Sequence, residues 1–201
     1  MKVYGDSRSG NCLKVKYVAD YLAIAYEWHE IDIMQQESRT EAFLTLNPEG
    51  QVPVVDLGEG RVLSQSNAII QFLAQGSSLL PADKFELACV NQWLFWEQYS
   101  HEPYIAVCRF VMEYQGESAA GRELWRVEKG ESALDSMEQR LGSQTWLATQ
   151  GMSVADVSLM AYTRVAHEGG FDLSNRPSIK RWIADCEREL NIGVYDRYDG
   201  G

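Results

Sequence analysis

Hydrophobic periodicity switches repeatedly along the first 76 residues and then settles into a helical period. Such a chain should build a sheet covered by helices first and a helical bundle second. KVY (2–4) is a short strand candidate. From Gly10 onward, Val15, Val18, Ala19 and Leu22 recur at i, i+3, i+4 and i+7, one face of a helix. EWHEIDI (27–33) alternates as a strand, with Ile31 and Ile33 on one side. SRTEAFLTLN (38–47) fits a short helix stopped at Asn47, because a residue before proline avoids helical backbone. VPVVDL and RVL flank Gly58-Glu59-Gly60, a hairpin signal. SNAIIQFLAQG (66–76) is a third helix, with Ile69, Phe72 and Leu73 on one face and Gly76 as C-cap. The expected order is βαβαββα.

After Gly76 no convincing strand follows. Residues 77–84 read as a linker, and helices are expected at about 84–115, 120–142, 154–168 and 177–190. Asp83 with Glu86, and Ser153 with Asp156, have the spacing of helix-opening caps. Pro103 should kink the first long helix. Gly200-Gly201 reads as a frayed end. The fold class is therefore α/β plus all-α. Domain 1 should span 1–76 and the helical domain 85–201.

Composition narrows the function classes. A net charge of −11 leaves no basic face for nucleic acid. No run approaches the length of a membrane span, and the N-terminus lacks an apolar leader, so a soluble cytoplasmic protein is expected. Cys12, Cys89, Cys108 and Cys186 form no CxxC pair and no zinc spacing, so reduced thiols and no metal are expected.

Three motifs carry more information. NPEGQVPVV (47–55) brings a proline to the start of a strand. LSQSNAIIQFL (63–73) sets Gln65 and Ser66 at a strand-to-helix junction, where backbone N–H groups can bind a carboxylate. GMSVADVSLMAY (151–162) carries a capped helix. Together with YGDSRSGNCLKV (4–15), they resemble the cytosolic glutathione transferase superfamily, in a bacterial, serine-type or related form. The resemblance covers nearly the whole chain. It implies a thioredoxin-like N-terminal domain that binds glutathione and a helical domain that lines the electrophile site. It makes Pro53 a cis-proline that presents the Val52 main chain to the cysteinyl unit. Gln65 and Ser66 would hold the γ-glutamyl group, with Gln65 where many members have Glu. Gln51 and one of Ser38 or Arg39 would reach the glycyl carboxylate. Ser153 and Asp156 match a folding cap without chemistry.

A glutathione enzyme must keep a thiol ionised near neutrality. Lowering a thiol pKa of about 8.5 by two units takes about 2.7 kcal/mol. A hydrogen bond to the anion supplies about 1.5–3 kcal/mol and a helix N-terminus about 0.3–2 kcal/mol. One hydroxyl and one helix end suffice, without a general base. The resemblance puts Ser9 in the donor position, with Asn11 as a second donor. Both can also be read as ordinary residues of a helix start. Cys12 stands three residues after Ser9, the resolving position of a CxxC motif whose attacking cysteine is replaced by a hydroxyl, so it is expected to be a bystander.

The second substrate is expected against the kinked helix, with His101, Tyr104, Cys108 and Arg109 as candidate contacts. The leading reading is conjugation of glutathione to small hydrophobic electrophiles, a detoxification activity. A glutathione-dependent disulfide or peroxide reductase and a non-catalytic binding module of the same fold are the alternatives. The resemblance also implies a homodimer.

Overall fold

The computed structural model describes residues 1–193; the expected frayed end at Gly200-Gly201 lies outside them. The chain divides into two compact units, Met1–Ser77 and Ser78–Gly201.

The first unit is a four-stranded sheet with order β2-β1-β3-β4. Strands β1 (Lys2–Gly5) and β2 (Glu27–Glu30) are parallel, with Val3 opposite Trp28. A parallel pair needs a crossover, and helix α1 (Gly10–Tyr21) provides it. Strand β3 (Val54–Asp56) runs antiparallel to β1, and β4 (Val62–Ser64) antiparallel to β3. Helix α1 packs against α3 (Ser66–Leu73), and Val15, Val18, Ala19, Ile69 and Ile70 between them are fully buried. The close approach of α1 to the sheet depends on Gly5. A Cβ there would lie 2.8 Å from the Trp28 ring and 3.0 Å from Cys12 Cβ.

Several boundaries differ from those expected. Strand β2 stops at Glu30, because β1 ends at Gly5; the Ile31 N–H makes one more bond to the Gly5 carbonyl at 2.9 Å, and Ile33 lies in a turn. Helix α2 spans Glu41–Leu46 rather than 38–47. Thr40 is its N-cap, accepting the Phe43 N–H at 3.3 Å, and Glu37–Arg39 forms a separate tight turn. On α3 the buried pair is Ile69 and Ile70, whereas Phe72 is exposed. Ala74 is the C-cap, with Gly76 two residues beyond it at φ +76°.

The second unit is helical among its described residues. Asp83 caps α4 (Lys84–Trp96), accepting the N–H groups of Phe85 and Glu86 at 2.9 and 3.0 Å. The helical path continues through a wide π turn at Glu97–His101, α5 (Glu102–Arg109) and a second π turn at Phe110–Tyr114. Pro103 explains the first π turn: it donates no N–H, and its ring would clash with the carbonyl four residues back in a regular helix. Helix α6 spans Leu124–Ser143, α7 Val154–Thr163 and α8 Pro177–Glu189. Helix α7 stops at Thr163, short of the expected 168, and a tight turn at Ala166–Gly169 follows. The expected linker is partly anchored: Leu79 is fully buried, and its carbonyl accepts the Val154 N–H at 2.9 Å.

Every residue of α7 is buried. Its start is closed by Asp156, whose carboxylate accepts the Ser153 N–H, the Ser153 hydroxyl, the Leu147 N–H and the Trp182 indole N–H, each at 2.9 Å. Burial raises the Asp156 pKa against the pull of these bonds. No helix among the described residues is long and apolar enough to cross a membrane.

Candidate functional site

The opening of α1 follows directly on β1. Strand β1 ends at Gly5, and the Ser9 N–H turns back onto the Asp6 carbonyl at 3.0 Å. Asp6 is fully buried and fixes the loop, its carboxylate accepting the Arg8 N–H at 2.8 Å and pairing with the Arg8 guanidinium at 3.2 Å. Ser9 is then the N-cap of α1, with extended backbone. Its hydroxyl makes no cap bond to the helix. It meets the Cys12 side chain instead.

Cys12 is fully buried. Burial pushes its thiol up to about 12, outweighing its hydrogen bonds with the Ser9 side chain and the Asp6 backbone. Near neutral pH this sulfur is a protonated thiol and a poor nucleophile.

Asn11 is tied to two elements. Its Oδ1 accepts from Lys14 Nζ at 2.8 Å, one helical turn along α1, and from the Ser66 hydroxyl at 3.1 Å, at the start of α3. An ammonium can only donate, so the amide atom facing Lys14 is the oxygen, and the amide NH2 lies on the other branch. Lys14 itself is fully buried. Sequence reasoning passed over it. The available signal was its i+3 spacing from Asn11, which puts both on one helix face.

Gln65 and Ser66 meet at the β4–α3 junction. Gln65 is exposed and has a left-handed backbone, φ +70°, rare for a residue with a side chain. Ser66 is buried, its hydroxyl committed to Asn11. Gln65 is the N-cap of α3 and Ser66 its first residue, so the Ser66 hydroxyl caps nothing and instead joins the starts of α1 and α3.

The third group lies before β3. The Val52-Pro53 peptide is cis. The preceding turn is held by Asn47, whose amide donates to the Gln51 carbonyl at 2.8 Å. Arg39 is exposed, and its guanidinium donates to the Glu49 carbonyl at 3.0 Å. Gly50, at φ +63°, leaves room for it: a Cβ would lie 2.5 Å from Arg39 Nη1. Ser38 is buried, so of the two candidates Arg39 is the one whose charge lies at this turn.

The second-substrate candidates separate. His101 is fully buried. Its Nε2 is 3.0 Å from the Thr163 hydroxyl, which itself donates to the Leu159 carbonyl at 2.7 Å. This corrects the expectation for His101: it is a core residue, withdrawn from any substrate. Cys108 is buried as well, and Arg109 is mostly buried in an ion pair with Glu168 at 2.5 Å. Tyr104 remains partly accessible and packs edge-on against Trp125, with ring centroids 6.1 Å apart.

Comparison with known proteins agrees with this architecture. The family model "Glutathione S-transferase, N-terminal domain" matches residues 8–75, and "Glutathione S-transferase, C-terminal domain" matches residues 100–189. The chain is 29% identical to glutathione S-transferase F13 of Arabidopsis thaliana, over 96% of this chain and 94% of the relative. A solved glutathione S-transferase from Pseudomonas fluorescens is 48% identical with a TM-score of 0.89, covering 92% of this chain and 94% of that one. Another, from Xanthobacter autotrophicus, is 37% identical with a TM-score of 0.91, covering 98% of both chains.

Proposed function

This chain belongs to the glutathione S-transferase family, and on that basis we propose that it conjugates glutathione to small hydrophobic electrophiles. The sulfur of glutathione lies at the start of α1. The Ser9 hydroxyl and the Asn11 amide donate to it, and the helix N-terminus favours the anion. The thiolate then attacks an electrophilic carbon and forms a C–S bond. In substitution the leaving group departs with its bonding pair, and in addition the displaced π pair stays on the substrate and takes a proton from water, with no covalent enzyme intermediate in either case. Val52 pairs through its main chain with the cysteinyl unit. Gln65 and the backbone N–H of Ser66 receive the γ-glutamyl group, and Gln51 and Arg39 the glycyl carboxylate.

The observation that carries this reading is the arrangement at the start of α1. Ser9 makes no cap bond to its helix, and Asn11 is held from two sides with its oxygen engaged. Such an orientation suits an amide that must donate. The high pKa of Cys12 favours a sulfur supplied by glutathione rather than by the protein.

A homodimer belongs to the same proposal. It is supported by exposed aromatic side chains on α4 and the turn after it, Phe85, Phe95 and Tyr99, exposed to 76%, 73% and 81%. Sedimentation of a species twice the chain mass is the expected result.

The test of function is turnover of a panel of electrophiles with glutathione. Ser9→Ala and Asn11→Ala should each lose roughly 10- to 100-fold in kcat/KM, the value of a hydrogen bond to a charged sulfur. Glutathione binding without conjugation of any electrophile would remove this reading. Turnover of small disulfides in its place would establish the reductase. Full activity in both variants would reassign the donors.

A further inference from the structure

The mechanism above leaves the buried cation of α1 unused. Lys14 is fully buried, and its ammonium sits 2.8 Å from Asn11 Oδ1. A lysine is almost never fully buried unless it is paired, so its charge is held at this place by the fold. Two described carboxylates near the α1 start disfavour an anion. Asp6 and Glu30 both act electrostatically against ionisation at Cys12. Arg8 is half exposed and paired with Asp6 at 3.2 Å. Glu30 accepts the Ser7 N–H at 2.8 Å and the Trp28 indole N–H at 2.7 Å. Tyr4 and His29, on β1 and β2, stack on each other at 4.8 Å. Helix α3, which packs against α1, reads SNAIIQFL and contributes no charged side chain.

We propose that Lys14 is a positioning residue of the sulfur site, fixing and polarising the Asn11 amide so that its NH2 donates more strongly to the glutathione thiolate. This rests on the conjugation reading above. A cation on the carbonyl oxygen draws electron density through the amide and makes its N–H protons better donors. The same contact selects the rotamer, since Oδ1 must face Lys14 and Ser66 together. Ser66 sits in the proposed γ-glutamyl subsite, so the subsites for the two ends of the γ-glutamyl-cysteine unit share one amide. The step assisted is RSH to RS⁻, with the proton released to water and the electron pair kept on sulfur.

Three substitutions separate charge from contact. Lys14→Arg keeps both, Lys14→Gln keeps a donor without charge, and Lys14→Met keeps neither. The readout is the ultraviolet absorbance of the thiolate of bound glutathione, titrated from pH 5 to 9. S-Methylglutathione binding serves as a control that has no ionisable sulfur. Lys14→Gln and Lys14→Met should raise the apparent thiol pKa by about one unit, a tenfold smaller thiolate fraction below that pKa. Lys14→Arg should recover most of the loss, and S-methylglutathione affinity should stay within about threefold in all three. If Lys14→Met does not fold, Lys14→Gln carries the test alone. An unchanged thiol pKa in Lys14→Gln overturns the proposal. So does an equal loss of glutathione and S-methylglutathione affinity, which would make Lys14 a packing residue. Wild-type protein that binds no glutathione would remove the conjugation reading itself, a separate result.

Discussion

Helices α1 and α7 both begin with a serine, and the two serines are used differently. At α7, Ser153 and Asp156 close on each other and on Leu147 and Trp182, all in the buried core of the second unit. At α1, Ser9 is half-buried and makes no cap bond to its helix, and the groups around it are anchored from behind by Asp6, Lys14 and Ser66. A helix start whose hydrogen bonds are all internal contributes stability. A helix start whose first N–H groups are not capped by a side chain can receive a ligand.

The largest effect should come from breaking the closed end. Asp156→Ala orphans the buried Leu147, Ser153 and Trp182 donors and should destabilise the protein by about 4 kcal/mol in urea unfolding. A loss below about 1 kcal/mol would show that water replaces the carboxylate. Next comes the open end. Ser9→Ala should change stability by less than about 0.5 kcal/mol while removing the 10- to 100-fold of activity given above. Equal losses of stability in Ser9→Ala and Ser153→Ala would erase the distinction between the two ends. Ser153→Ala should itself cost about 1 kcal/mol, with the activity per folded molecule retained.

The smallest effect concerns Cys12. Its folded pKa of about 12 lies above the ordinary 9.0, so the folded state favours the neutral thiol. That contribution is fully present below pH 9.0 and is lost as pH rises toward about 12. Between pH 9 and 11 the Tm of the wild type should therefore fall more steeply than that of Cys12→Ala. Parallel curves, or alkylation of Cys12 in the native protein at neutral pH, would contradict the burial argument.

The order of elements in the first unit was readable because strand and helix periods differ, and each is set by local side-chain direction. Asp83 was legible as a cap residue for the same reason, since its role depends on backbone within a few residues. Element ends were less so. Strand β2 stops at Glu30 because its partner β1 stops at Gly5, which the sequence of β2 does not contain. His101 looked like a site residue from its place beside Tyr104 on the kinked helix, and only the packing of the π turn against α7 buries it on Thr163.

The candidate site shows the same division. Ser9, Asn11, Gln65 and Ser66 could be picked out from residue types at strand-to-helix junctions and from the family pattern. That Ser66 reaches Asn11, 55 residues away in sequence, is a product of α1 packing on α3. The burial of Lys14 belongs to that packing as well. Local sequence specified which groups stand at each helix start, because caps and turns are built from neighbouring residues. The tertiary structure decided which of those groups meet, and which charge is kept from water, because burial and long-range hydrogen bonds depend on elements distant along the chain.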